Sequence, residues 1–155
     1  MTRRQGAVAE RLPAGASVLV DTSVVLAYLA GGEPASSDAE DLFDGLVATG
    51  RNPALLSAVT VGEILVRPFR AGPAAVAIAE GFLRHFADMQ IVSVDFEVAR
   101  EAARIRASTN LAMPDALIVA SARIAGADVL ITGDRSWRTR IDDLALGLGI
   151  LEFPS

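Results

Sequence analysis

Short unbroken apolar runs alternate along the chain with stretches in which apolar residues recur every three or four positions. The runs Ser17–Val20, Pro53–Ser57, Ile91–Val94, Val129–Thr132 and Gly149–Phe153 are too short for helices and lack polar alternation. Both properties predict strands buried on both faces. Between them, a helix is predicted over Val24–Ala30, closed by Gly31-Gly32 and a loop at Pro34. A second follows Ser37-Asp38-Ala39-Glu40, which has capping-box spacing, and carries Leu42, Phe43, Leu46 and Val47 on one face before Gly50. Thr60-Val61-Gly62-Glu63 repeats the capping-box pattern and opens a third. With the amphipathic stretch Ala75–Met89 after the Gly72-Pro73 break, it predicts a helical hairpin over 60–89. Asp95 is placed to cap a helix over Phe96–Ser108, and Pro114 to occupy the first position of one ending near Gly126. A short segment, Trp137–Leu146, precedes the last strand. Residues 1–16 read as a flexible, polar N-terminal arm, and 17–155 as a single domain. Strands alternating with helices imply an α/β fold with a mostly parallel sheet covered on both faces. Ligands of such sheets sit outside the carboxyl ends of the strands.

Composition narrows the chemistry. The chain has 155 residues, 52% of them hydrophobic, and a mean hydropathy of +0.41, which is globular rather than disordered. No apolar run reaches the roughly 18 residues of a membrane span, and Met1–Ala16 has no apolar signal core. The expectation is a cytoplasmic protein with no membrane partner. There is no Cys, which removes disulfides and thiolate metal sites. All 14 basic residues are Arg, so chemistry that relies on a positioned lysine is excluded. His85 is the single histidine, and no G-x-S-x-G occurs, which leaves a serine-hydrolase triad without support. The net charge of −5 offers no basic footprint for nucleic acid.

What remains is acid. Asp21 and Asp134 stand at the carboxyl ends of predicted strands, and Glu63 and Asp115 stand near the starts of predicted helices, so all four converge on one edge of the sheet. Each has a structural reading as well. Asp21 is a potential helix cap, Glu63 the reciprocal partner of Thr60, Asp115 a dipole-stabilising residue and Asp134 a turn residue. Together they are harder to explain that way. Two carboxylates about 5 Å apart repel by roughly 3 kcal/mol at an effective dielectric near 20. Oxygen donors without Cys or a nearby His select Mg2+ or Mn2+ over Zn2+. Divalent ions in such a pocket suit phosphodiester hydrolysis.

The stretches Val18-Leu19-Val20-Asp21-Thr22-Ser23, Glu63-Ile64-Leu65, Pro114-Asp115-Ala116-Leu117-Ile118-Val119-Ala120 and Leu130-Ile131-Thr132-Gly133-Asp134 resemble, in order and spacing, the four signatures of PIN-domain nucleases. The chain is more closely similar to the VapC toxin ribonucleases of bacterial toxin–antitoxin pairs, over about 17–153. The resemblance implies a PIN-like three-layer α/β/α sandwich and a Mg2+- or Mn2+-dependent endoribonuclease. It also implies a homodimer that cuts RNA and is inhibited by a small cognate antitoxin. Family roles carried over by position make Asp21, Glu63 and Asp115 the metal-binding acids and Asp134 the more variable fourth, with Thr22 and Thr132 as supports. Two rivals stand beside this reading: an RNA-processing or structure-selective DNA nuclease on the same fold, and a non-catalytic α/β binding module whose acids are only caps.

Four further features have a functional and a packing reading each. Arg100, Arg104 and Arg106 share a predicted helix with Glu97 and Glu101, and read as a solvated, ion-paired face. Arg135, Arg138 and Arg140 follow Asp134 and adjoin the predicted site, where contact with RNA phosphates competes with a solvated face. Trp137 reads as core, and Val66, Phe69, Phe82 and Phe86 as a stripe divided between core and interface.

Overall fold

Alternate residues of the central strands feed two separate cores, which is what a sheet covered on both faces requires. The computed structural model describes residues 2–32, 34–141 and 149–153. Its strands are β1 (Val18–Val20), β2 (Ala54–Ser57), β3 (Met89–Val92), β4 (Val129–Thr132) and β5 (Gly149–Glu152). They form one sheet in the order β3-β2-β1-β4-β5, with every pairing parallel. Val18 and Val20 of β1, Ala54 and Leu56 of β2 and Ile131 of β4 enter one core. Leu19 and Leu130 enter the other. The result is a three-layer α/β/α sandwich.

The first core is covered by α1 (Thr2–Arg11), α2 (Thr22–Ala30), α3 (Pro34–Glu40), α4 (Ala58–Ala71) and α5 (Pro73–His85). A π-helical segment, Asp41–Val47, continues α3 and buries Leu42, Phe43, Leu46 and Val47. The second core is covered by α6 (Phe96–Thr109), α7 (Met113–Ile124) and α8 (Ser136–Ile141). The helical hairpin expected over 60–89 is α4 with α5. The expected stripe divides there: Phe82 and Phe86 join Tyr28 and Phe43 in an aromatic cluster, with centroids 4.8–6.1 Å apart. Val66 and Phe69 stay exposed.

Several expectations change. The arm expected over 1–16 is packed from Val8 onward: Val8 of α1 and Leu12 just beyond it enter the first core, and Arg51 donates from one guanidinium nitrogen to Ala9 O (3.1 Å) and Leu12 O (2.9 Å). The buried Asn52 amide donates to Pro13 O and Ala16 O, fixing the turn into β1. A stripe of two apolar residues one turn apart was too narrow to show as periodicity; tertiary contacts supply the rest. The cap of α4 is Ser57, whose Oγ accepts from Val59 N, so Thr60 lies inside the helix and no capping box forms with Glu63. Likewise α3 begins at Pro34, ahead of Ser37. Asp95 does cap α6, accepting from Val98 N at 2.9 Å. Of the expected segment Trp137–Leu146, α8 covers the part to Ile141, and 142–146 lies outside the described residues. Trp137 is core.

Glu101, expected on a solvated face, is buried between α6 and α7, where it pairs with Arg104 and Arg123 (3.0 Å to the latter). The hydrogen bond from Arg104 holds its carboxyl below the ordinary value near 4.5. A lowered acid pKa adds stability above that value, and the contribution is lost as pH falls. Glu101→Gln is therefore expected to lower unfolding stability by about 1–3 kcal/mol at neutral pH, less than a fully buried pair because both arginines are part-exposed. Urea titrations should show the variant and wild type converging below about pH 4. Leu12→Ala is expected to cost about 2–5 kcal/mol in the same assay. A cost near zero would return residues 1–16 to a loose arm.

Candidate active site

Parallel strands put the ends of β1, β2 and β4 on one edge of the sheet, and the residues that follow them meet there. Asp21 follows β1 and is 6% exposed. Its Oδ1 accepts from Thr22 N at 2.7 Å, capping α2, so the expected capping role is real. Its Oδ2 does something else: it accepts from Thr132 Oγ1 at 2.8 Å and Ser23 Oγ at 3.1 Å. Both hydroxyls are themselves fed by the turn after β4. Thr132 Oγ1 accepts from Asp134 N at 3.0 Å, and Ser23 Oγ from Gly133 N at 3.1 Å. A Cβ on residue 133 would stand 3.1 Å from Ser23 Oγ, so glycine is what lets the turn come this close.

Glu63 lies in the second turn of α4, turned toward β1. Its Oε1 accepts from Thr22 Oγ1 at 2.7 Å, and that hydroxyl stands 3.0 Å from the buried hydroxyl of Thr60. Ser121 Oγ on α7 lies 3.2 Å from Ser57 Oγ at the start of α4, which joins α7 to the same edge. Asp115 is in the first turn of α7, whose N-cap position, Ala112, has no side-chain cap. Asp134 is exposed, and its Oδ1 accepts from Ser136 N (2.8 Å) and Ser136 Oγ (2.7 Å), opening α8. Capping thus accounts for Asp21 Oδ1 and Asp134 Oδ1 but not for Glu63 or Asp115.

Electrostatics brings the four into one field. Burial pushes the Asp21 carboxyl up to about 6, against its hydrogen bonds, with Asp115 adding to the rise. Asp115 is raised by burial and then by Glu63 and Asp134, with Arg140 pulling the other way. None of the four forms a salt bridge among the described residues. Among those residues, too, no three potential ligands stand close enough to close around an ion. The acids form an open rim. All-oxygen donors of this kind fit Mg2+ or Mn2+, since Mg2+ keeps several waters and is held by one or two carboxylates. Ser23 and Thr60 were not singled out from the sequence. Ser23 stood in plain view beside Asp21-Thr22, but only the fold reveals its partner at 133.

The PIN domain family matches residues 18–142. This chain belongs to the PIN-domain family. VapBC-1 from nontypeable Haemophilus influenzae is similar in structure at a TM-score of 0.65 and 14% identity, over 88% of this chain and 97% of that one. A toxin–antitoxin complex from Klebsiella pneumoniae gives 0.64 and 18%, over 84% and 94%. Mycobacterium tuberculosis VapC20, a toxin that cleaves the sarcin–ricin loop, gives 0.59 and 20%, over 73% and 86%. At these identities the likeness is one of fold. No curated protein matches the sequence. Among the described residues, no helix of this PIN domain is long and apolar enough to cross a membrane.

An aspartate raised on folding binds its proton more tightly in the native state, so stability falls as pH rises from about 4 to about 6 and stays lowered above that. Asp21→Asn removes the penalty and keeps an acceptor for Thr22 N. In EDTA it is expected to stabilise the protein above pH 7 by up to roughly 3 kcal/mol, with the gain vanishing below about pH 4. Destabilisation above pH 7 would mean that capping, not desolvation, dominates at Asp21.

Proposed function

We propose that this PIN domain is a metal-dependent endoribonuclease and the toxin of a VapC-type toxin–antitoxin pair. One observation carries the reading: four acids share one edge of the sheet, two of them are raised by burial and by neighbouring carboxylates, hydroxyls hold Asp21 and Glu63 in place, and none of the four forms a salt bridge among the described residues. A scaffold under selection for stability alone gains nothing from that arrangement, which costs free energy until a cation arrives. In this reading Asp21, Glu63 and Asp115 hold Mg2+ or Mn2+, and Asp134 completes the set. Bound there, the ion supplies Lewis acidity and positive charge for phosphodiester hydrolysis. Thr132 and Ser23 hold the Asp21 carboxylate in place through Oδ2, and Thr22 holds Glu63 through Oε1. Asp21 accepts three bonds, two of them on Oδ2, which leaves one acceptor site, on Oδ1, open to the ion, whereas Glu63 accepts one and keeps three.

The toxin part of the reading is supported by the neighbours of this fold, which include VapBC complexes and a VapC toxin that cleaves RNA of the sarcin–ricin loop. It is also supported by the hairpin surface, where Val66, Phe69 and Ile78 are 47%, 67% and 74% exposed, an apolar face suited to an antitoxin or to the second copy of a homodimer.

Purified protein incubated with a mixed RNA pool is expected to give discrete fragments in Mg2+ or Mn2+ and none in EDTA. Asp21→Asn/Asp115→Asn should abolish both cleavage and calorimetric Mn2+ binding. No cleavage together with no Mn2+ binding by wild type would return the chain to a binding module whose acids are caps. Cleavage of DNA in preference to RNA would move it to the DNA nucleases of the same fold.

A further inference from the structure

The proposed chemistry leaves one charge problem unsolved. An acidic protein presenting four carboxylates must still hold a polyanion in register, and the ion compensates only at the point of cleavage. Three arginines follow Asp134: Arg135 precedes α8, and the helix divides the other two. Trp137 and Ile141 are buried and set its inward direction. One flank carries Arg138, which donates to Ile150 O at 2.8 Å and faces Glu152 at 3.7 Å, so that flank looks toward β5 at the outside of the sheet. The opposite flank carries Ser136 and, one turn on, Arg140. Ser136 is the residue bonded to Asp134 Oδ1. That flank looks toward β1, whose carboxyl end bears Asp21. Arg140 is exposed and has no hydrogen bond or ion pair among the described residues. Its charge nevertheless reaches Asp115 across the rim. Arg138 is committed to the scaffold, whereas Arg140 is a cation held beside the acids and paired with none of them.

We infer that Arg140 is a substrate-binding residue that takes a backbone phosphate of single-stranded RNA next to the bond to be cut, while Arg138 serves the fold. The inference rests on the nuclease reading for its chemistry and adds the residue that sets the strand against the acids. A guanidinium offers two parallel donors to a phosphate and is always charged, so a free arginine at this position makes a directed contact rather than a diffuse attraction.

The test measures binding and turnover separately. Binding of a fluorescein-labelled single-stranded RNA of mixed sequence is followed by anisotropy in Mg2+, in an Asp21→Asn background, across a salt series. Arg140→Ala is expected to weaken binding about tenfold at low salt. It should also reduce the slope of log K against log salt by about 0.7, the value for one lost single-strand phosphate contact. Arg140→Lys should restore the slope and part of the affinity. Arg84→Ala removes the same charge near the start of β3, at the opposite edge of the sheet, and should leave the slope unchanged. In the otherwise wild-type enzyme, Arg140→Ala should raise KM and leave kcat within about threefold.

An unchanged salt slope in Arg140→Ala overturns the inference, as does an equal loss in Arg84→Ala. A fall in kcat with unaltered RNA affinity overturns it too, and would assign Arg140 to tuning Asp115. Absence of RNA binding by the Arg140-intact protein also sinks it. Loss of the nuclease reading looks different: wild type would bind RNA with the Arg140-dependent slope and cleave nothing.

Discussion

Asp21 Oδ2, taken almost wholly out of water at the end of the central strand, is satisfied by two hydroxyls, and each hydroxyl relays an amide of the turn after β4. Thr132 and Ser23 have one proton apiece to give and lone pairs to receive, so the chain from amide to hydroxyl to carboxylate has a fixed direction. A single hydrogen-bonded unit therefore includes the end of β1, the start of α2, the Gly133-Asp134 turn and, through Ser136, the start of α8. Thr22 extends it to Glu63 on α4. Three of the four acids are thus held by hydrogen bonds, and Asp115 joins them through its field.

Such a site draws on the rest of the scaffold. Desolvating a carboxylate and setting others near it lowers stability, and the compensation comes from elsewhere in the same small domain. The two cores on either side of β1 supply most of it. The aromatic cluster around Phe43 binds the hairpin to the π-helical segment, Arg51 and Asn52 fasten α1 to the sheet's lower edge, and Glu101 locks α6 to α7 with two arginines. α7 thereby presents Asp115 from a helix that is packed along its length.

The central strands and their parallel arrangement were readable from the sequence because burial on both faces leaves unbroken apolar runs, as at Val129–Thr132, which the structure keeps to the residue. At the edge of the sheet β3 is only part-buried and runs over Met89–Val92, two positions ahead of the expected Ile91–Val94. The cap at Asp95 was readable because its partner lies three positions away. Positions whose partners are distant were not. Ser23 bonds to residue 133, Arg51 to α1, and the true cap of α4 is Ser57 because β2 delivers the chain there three residues earlier than Thr60 suggests. α1 itself was hidden by its polarity, and the π-helical turn at 41–47 by having the same apolar positions as an ordinary helix. At the acids, the motif order indicated which residues meet. That Asp21 caps α2 with Oδ1 while Oδ2 accepts from Thr132 and Ser23 follows only from the fold.

The bond between Asp21 and Thr132 spans 111 positions of the chain, whereas that between Thr22 and Glu63 spans 41. During synthesis the first half of the rim can therefore form well before the second, but β1 stays without its neighbour on one side until β4 has left the ribosome. Until then Asp21 has no hydroxyl from β4, and Asp115 feels neither the charge of Asp134 nor that of Arg140. The rim is thus assembled from segments more than a hundred positions apart, and a nascent chain holds no complete set of acids until β4 and the turn after it have emerged.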